Sequence, residues 1–290
     1  MTEKASWGLE EGDELVPGRL ALKRLGGGKL YEVYLVWDDA LFNLAVAKVL
    51  RPDAVTRERS LRAIGREAEL LDRLSHPVIV RKFDQVLDGP RPHLLLEHLE
   101  GPTLSRLLRR FGPLPYEQAL PLALSLSSAL QYISVAGYVH LDVKPSNLVM
   151  GAPPRLIDLS VARSLEAASR LERPVGTRRY MAPEQCEPGK RGPIGPPADV
   201  WAVGVVLYEA LTGSLPFGED QKDGAEHPQL DAVPAPLPRD VPPVVAEVIM
   251  RCLAPEPMAR PAVLSLARDL EPMVSSLPRA PLGRRRPRLR

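Results

Sequence analysis

The residues best placed to do chemistry are His140-Leu141-Asp142-Val143-Lys144-Pro145-Ser146-Asn147, a short stretch holding a carboxylate, an ammonium and a carboxamide. A carboxylate accepts a proton, an ammonium neutralises an anion and a carboxamide oxygen ligates a hard cation, so the set reads as part of a phosphoryl-transfer site. Tyr138-Val139 before it and Leu148-Val149-Met150 after it are apolar and read as buried strands holding a polar turn. Ordinary turn chemistry uses the same residues, with Pro fixing φ and Asp and Asn bonding their own backbone. The decision therefore lies with the rest of the chain.

Other charged residues stand out against apolar surroundings. Lys48 interrupts the run Leu44-Ala45-Val46-Ala47-Lys48-Val49-Leu50, and an ammonium buried there without an anionic partner or ligand is costly. The bland alternative is a lysine snorkelling from an edge strand. Glu67 borders the stripe Leu61, Ile64, Ala68, Leu71 and Leu74, whose spacing predicts a helix, so it can reach inward or stay solvated. Asp158 follows the apolar strand Arg155-Leu156-Ile157 and needs a cation; with Asn147 it offers oxygen donors that suit Mg²⁺. Upstream, Leu25-Gly26-Gly27-Gly28 lies between two short strands over 19–37. The hairpin tip expected there has bare N–H groups able to approach an anion, or it simply flexes.

Strands are also expected over 44–50, 78–80 and 93–97, and Glu100-Gly101-Pro102 reads as a hinge between two lobes, followed by a short helix from Thr103 to Arg110. A long buried helix from Tyr116 to about Val135 leads into the central turn. Residues 160–184 read as polar and irregular. Asp199–Tyr208 is apolar nearly all round, as a helix at the centre of a domain would be, with Asp199 read as its cap. Two further helices are expected over 244–253 and 263–270.

At 290 residues the chain suits one large two-lobed domain or two modest ones. The net charge of +2 points to no class of partner, and no nucleic acid is expected. Its two cysteines, Cys186 and Cys252, form neither a zinc cluster nor a disulfide framework, which favours a cytoplasmic chain. The acidic N-terminal stretch lacks the order of a signal peptide, and no apolar run reaches the roughly 18 residues of a membrane helix. The 32 prolines punctuate loops. Arg284-Arg285-Arg286-Pro287-Arg288-Leu289-Arg290 is expected to be a solvated, disordered basic tail.

Taken in order, the glycine turn, the strand lysine, the helix glutamate, the Asp-x-Lys-x-x-Asn turn, the strand-end aspartate and Ala182-Pro183-Glu184 resemble the eukaryotic-type protein kinase family, from about Leu20 to Leu270. Lys144 two residues after Asp142, with Gly176-Thr177 ahead of Ala-Pro-Glu, looks like its serine/threonine branch, and bacterial members are the nearest look-alikes. The resemblance implies an α+β, two-lobed fold: an N-terminal extension over 1–17, a small β-rich lobe with one long helix over 18–97, a hinge and mainly helical lobe over 98–276, and the tail over 277–290. It implies ATP and Mg²⁺, with Mn²⁺ possible, and a protein substrate with a Ser or Thr hydroxyl. A dimer or a regulatory partner is also open.

Residue by residue, the resemblance implies that Leu25, Gly26, Gly28 and Val33 cover the nucleotide while Lys48, paired with Glu67, holds its phosphates. Ala47, Leu96 and Val149 would line the pocket, with backbone groups of Glu97 and Leu99 meeting adenine. Asp142 would accept the substrate hydroxyl proton, Lys144 would steady the γ-phosphoryl group, Thr177 would contact both, and Asn147 with Asp158 would hold the metal. Three positions depart from the family pattern: Tyr31 replaces the third loop glycine, Leu141 the arginine of His-Arg-Asp, and Ser160 the glycine of Asp-Phe-Gly. They keep a pseudokinase scaffold or allosteric partner in contention. A small-molecule phosphotransferase is disfavoured by the Ala-Pro-Glu segment and Lys144.

Overall fold

The computed structural model of the chain describes residues 5–218 and 227–278. The basic segment 284–290 lies outside them. The N-terminal part is a six-stranded antiparallel sheet, built from β1 (Glu14–Val16), β2 (Arg19–Gly27), β3 (Tyr31–Asp38), β4 (Asn43–Leu50), β5 (Lys82–Val86) and β6 (His93–Glu97) in the order β1-β2-β3-β4-β6-β5. One long helix, α1 (Glu58–Arg73), crosses from β4 to β5. Its buried face carries Ile64, Ala68 and Leu71 together with Glu67, so the glutamate on the border of the apolar stripe turns inward.

Strand alternation divides β4 between two cores. Val46 and Leu50 belong to the main core, whereas Ala45, Ala47 and Val49 join a second cluster with Leu15, Tyr34, Val36 and Leu95 on the outer face of the sheet. Trp7 and Leu9 pack over that cluster. With both faces covered, β4 reads as an unbroken apolar run.

The larger lobe is mainly helical. After α2 (Leu104–Phe111) and α3 (Tyr116–Val135), the short strands β7 (Tyr138–Val139) and β8 (Leu148–Val149) bracket the polar turn, and β9 (Arg155–Leu156) pairs with β8. The segment expected to be irregular contains β10 (Arg163–Ser164), paired with β7, and one helical turn, α4 (Leu165–Ser169), capped by the Ser164 hydroxyl. Then follow α5 (Pro183–Cys186), α6 (Pro196–Thr212), α7 (Pro243–Cys252) and α8 (Val263–Ser275).

Thirteen residues of α6 are buried, which is why its sequence carries almost no polar face. A Cβ on Gly204 would stand 2.7 Å from the Cys252 Cβ, so only glycine lets α6 and α7 approach this closely. Glu184 and Arg260, both fully buried, pair at 2.7 and 2.9 Å and tie α5 to the C-terminal helices. Burial pushes both thiols up to about 12, far from the thiolate form that reacts. A disulfide-exchange reagent at neutral pH is therefore expected to titrate neither cysteine in the folded protein and both after denaturation. Rapid labelling of either thiol in the native state would contradict that burial.

Candidate active site

The turn between β7 and β8 is bent sharply. Leu141 has φ 65, a left-handed conformation costing a non-glycine residue roughly 1–2 kcal/mol. Two contacts hold it there. Asp199 accepts the backbone N–H groups of His140 and Leu141, each at 2.8 Å. The Leu141 side chain is meanwhile buried in the core. Asp199 is therefore no helix cap: α6 starts at Pro196 after Gly195, and a carboxylate one turn inside can take donors from another segment.

Asp142, 6% exposed, has both carboxylate oxygens hydrogen-bonded. One accepts the Thr177 hydroxyl and the other the Lys144 ammonium, and Lys144 also donates to Thr177, all at 2.6 Å. Asn147 donates to the Asp142 carbonyl at 3.0 Å, which leaves its amide oxygen as the end able to accept or ligate. Its own carbonyl takes the N–H of Ile157 at 2.8 Å, so the β8–β9 pairing brings Asn147 beside Asp158.

Lys48 is 6% exposed and meets three carboxylate oxygens: both of Glu67, at 2.8 and 2.7 Å, and one of Asp158 at 2.7 Å. Burial works against the Lys48 ammonium, but Glu67 and Asp158 outweigh it and hold its pKa above the usual lysine range. Burial likewise opposes the Asp158 carboxylate, yet Lys48 and the Ser160 hydrogen bonds hold it well below the usual range. Glu67 also accepts the N–H of Leu159 at 3.2 Å, so α1, β4 and the strand end are locked by one charged knot. Asp158 has φ 75.

Above this knot, Val33 sits opposite Lys48 in the sheet and Leu96 opposite Val46. Leu25, Gly26 and Gly28 form the open edge of β2 and its turn, and added Cβ atoms at Gly26 and Gly28 would meet nothing. Val149, 8% exposed, bridges to Thr103. Glu97 turns its carboxylate away, to the Arg81 N–H at 2.8 Å and to Arg155 at 3.1 Å, leaving backbone to line the hinge. Among the described residues no hydrogen bond occupies the backbone of Leu99.

One expected pocket residue is misplaced. Ala47 points to the outer face of the sheet, against the cluster under Trp7, because alternation puts it opposite Lys48; Val46 takes the cleft side. Two contacts had no readable precursor. The Tyr31 ring covers the Lys48 ammonium at 4.6 Å, with its buried hydroxyl unpartnered among the described residues and held protonated by burial, its pKa pushed up to about 12. Gln185 donates to the carbonyls of Leu141 and Val175, at 2.9 and 2.8 Å, and accepts the Ala182 N–H at 3.1 Å.

The donor set suits a nucleotide and a hard cation. Among the described residues no group of three or more His, Cys, Asp or Glu could hold a metal alone. Asn147 and Asp158 supply the one or two protein oxygens with which Mg²⁺ is usually content, the rest coming from phosphates and water.

The chain matches the protein kinase domain family over residues 20–270. It is 36% identical over 230 residues to the serine/threonine-protein kinase PkaA of Streptomyces coelicolor, covering 77% of this chain and 42% of that protein. Over 221 residues it is 31% identical to the serine/threonine-protein kinase PknB of Mycobacterium leprae, covering 72% and 35%. Over 269 residues it is 32% identical to the serine/threonine-protein kinase PknL of Mycobacterium tuberculosis, covering 89% and 66%. The first two relatives are more than twice as long as the stretch this chain matches.

Proposed function

The chain belongs to the protein kinase family, and on that premise we propose that it is an ATP-dependent serine/threonine protein kinase of the bacterial branch. Asp142 carries the reading: its carboxylate accepts hydrogen bonds from both Lys144 and Thr177, each at 2.6 Å.

In this proposal Asp142 accepts the proton of the substrate Ser or Thr hydroxyl as the oxygen attacks, and Lys144 and Thr177 fix its orientation. Lys144 neutralises charge developing on the transferred group, and Lys48, held by Glu67, does so on the phosphates behind it. Asn147 and Asp158 would hold a divalent cation, Mg²⁺ or Mn²⁺, through their oxygens, and it would supply positive charge to offset that of the phosphates. Leu25, Gly26, Gly28, Val33, Val46, Leu96 and Val149 enclose the nucleotide, and the backbones of Glu97 and Leu99 meet its base. The proposed division falls at the hinge, with a large lobe over 98–276; the small lobe's sheet begins at β1 (Glu14–Val16), four residues before the expected bound at 18. Because ATP is the co-substrate, the proposed site of action is the cytoplasm; among the described residues no helix is long and apolar enough to cross a membrane.

A pseudokinase scaffold finds no support in the departures. Neither Tyr31 nor Ser160 adopts a left-handed backbone, so neither asks for the glycine it replaces. Label transfer from γ-labelled ATP to a generic protein substrate tests the proposal, and tight ATP binding without transfer would favour the scaffold instead.

The third departure has its own consequence. An arginine at position 141 would receive an activation-segment phosphate, a charge-assisted contact that leucine cannot make. Here the segment is held by contacts that need no phosphate: Gln185 clasps Leu141 to Val175, Thr177 is tied to the Asp142 carboxylate, and Gly176 passes so close that a Cβ would stand 2.6 Å from the Leu141 carbonyl. The Ser164→Ala, Ser169→Ala double variant and phosphatase-treated wild type should therefore each keep activity within about threefold, and a tenfold loss in either, about 1.4 kcal/mol, would show that a loop phosphate matters.

A further inference from the structure

Glu32 and Arg51 are charged, almost wholly buried, and used by nothing in the proposed chemistry, yet they sit at the root of the glycine-rich turn. Glu32 is 0% exposed and Arg51 7% exposed. Arg51 reaches the turn twice, its backbone N–H donating to the Leu30 carbonyl at 2.9 Å and its Nε to the Gly28 carbonyl at 3.0 Å. It comes three residues after Lys48, so one stretch of chain holds both the phosphate-facing ammonium and the turn above it.

What fixes Arg51 is the segment preceding the sheet. Its Nη1 donates to the Ala5 carbonyl and to Glu32, both at 3.1 Å. Glu32 in turn accepts the Ser6 hydroxyl at 2.6 Å and the Trp7 N–H at 3.1 Å, besides the Tyr34 hydroxyl at 2.9 Å and Arg24 at 3.2 Å. Trp7 anchors the segment: its indole N–H donates to the Leu50 carbonyl at 2.7 Å, and its ring lies over the outer cluster with the Arg91 guanidinium 5.2 Å from its centroid. A buried carboxylate and guanidinium are costly unless every partner is in place. Removing the segment takes away two donors from Glu32 and one acceptor from Arg51, and frees the guanidinium to let go of the turn.

We propose that Ala5, Ser6 and Trp7 are positioning residues for nucleotide binding, acting through Glu32 and Arg51 to hold the glycine-rich turn over the phosphates. This rests on reading that turn as the nucleotide flap. The segment touches neither nucleotide nor substrate, so its effect belongs in the affinity for ATP and not in the transfer step at saturation.

The test measures ATP KM and kcat, and separately the dissociation constant of a fluorescent ATP analogue, for the wild type and for Trp7→Ala, Trp7→Phe, Arg51→Ala and the Trp7→Ala, Arg51→Ala pair. Trp7→Ala should raise KM and the analogue's dissociation constant about tenfold with kcat within about twofold, and Trp7→Phe, which keeps the ring packing, should recover most of the loss. The pair should be no worse than Arg51→Ala alone, because both changes cut one path. A merely structural role would lower the active fraction, seen as reduced kcat at unchanged KM, and that result would overturn the proposal. So would additive effects in the pair. If the wild type binds the analogue but transfers no phosphate, the kinase reading falls while the dissociation constants still decide this one; if the wild type binds no nucleotide, both fall.

Discussion

Asp142→Asn is expected to bind ATP within about twofold of the wild type and to transfer phosphate about 10²–10⁴-fold more slowly, the usual span for losing a positioned general base. Asparagine keeps the shape of the side chain and can still accept the Thr177 hydroxyl that now donates at 2.6 Å. It cannot take a proton. Its amide N–H₂ would also face the Lys144 ammonium where a carboxylate oxygen now accepts at 2.6 Å, so Lys144 loses one of its two partners and its aim. The loop itself should survive, since its bend is held by Asp199 through the backbone of His140 and Leu141. Steady-state transfer and nucleotide titration on the same preparations check both halves of the expectation, and a variant transferring at the wild-type rate would remove Asp142 from the role of base.

Lys48→Met is expected to be damaging in a different way, with ATP affinity, transfer and stability all falling. Transfer should drop about 10²–10³-fold, the range for removing one preorganised group from developing charge. The variant leaves Glu67 and Asp158 facing one another without the cation that sits 2.7 Å from each. Breaking a buried pair from one side costs about 3–5 kcal/mol; Asp158, with its side chain 34% exposed, is partly screened, so the lower end applies, roughly 6–12 °C of melting temperature for a domain of this size. Adding Glu67→Gln should return most of that stability and none of the activity. Thermal melts with parallel transfer assays separate the two effects, and a Lys48→Met protein as stable and active as the wild type would exclude the knot from any role.

The chemistry was readable in the sequence wherever a charged group sat against an apolar pattern. Lys48 in a β run and Asp158 at a strand end each demand a partner, Glu67 beside a helical stripe is free to supply one, and the three partner one another. What escaped was contact whose partner is backbone or lies on the far side of a sheet. Asp199 reads as a cap because its real partners are two N–H groups 59 and 58 residues away, and backbone donors leave no trace in side-chain types. The resemblance puts Ala47 in the pocket, and the sequence does not correct it because β4 is apolar on both faces, which erases the alternation that marks it as outward; Trp7 and Leu9 supply that second cover. Gln185 is a neutral residue after Ala-Pro-Glu, and the two carbonyls its amide clasps, those of Leu141 and Val175, lie far apart in sequence and meet only in the fold.

The proposed kinase has its site assembled for transfer to a hydroxyl without prior phosphorylation of the segment ahead of Ala182. The most direct measurement is to strip the purified protein with phosphatase, remove the phosphatase, add γ-labelled ATP with Mg²⁺ and a generic protein substrate, and hydrolyse the labelled product to its phosphoamino acids. Label on serine or threonine, appearing without a lag and absent from an Asp142→Asn control, is the predicted result. No label above that control, or label on tyrosine alone, would contradict it.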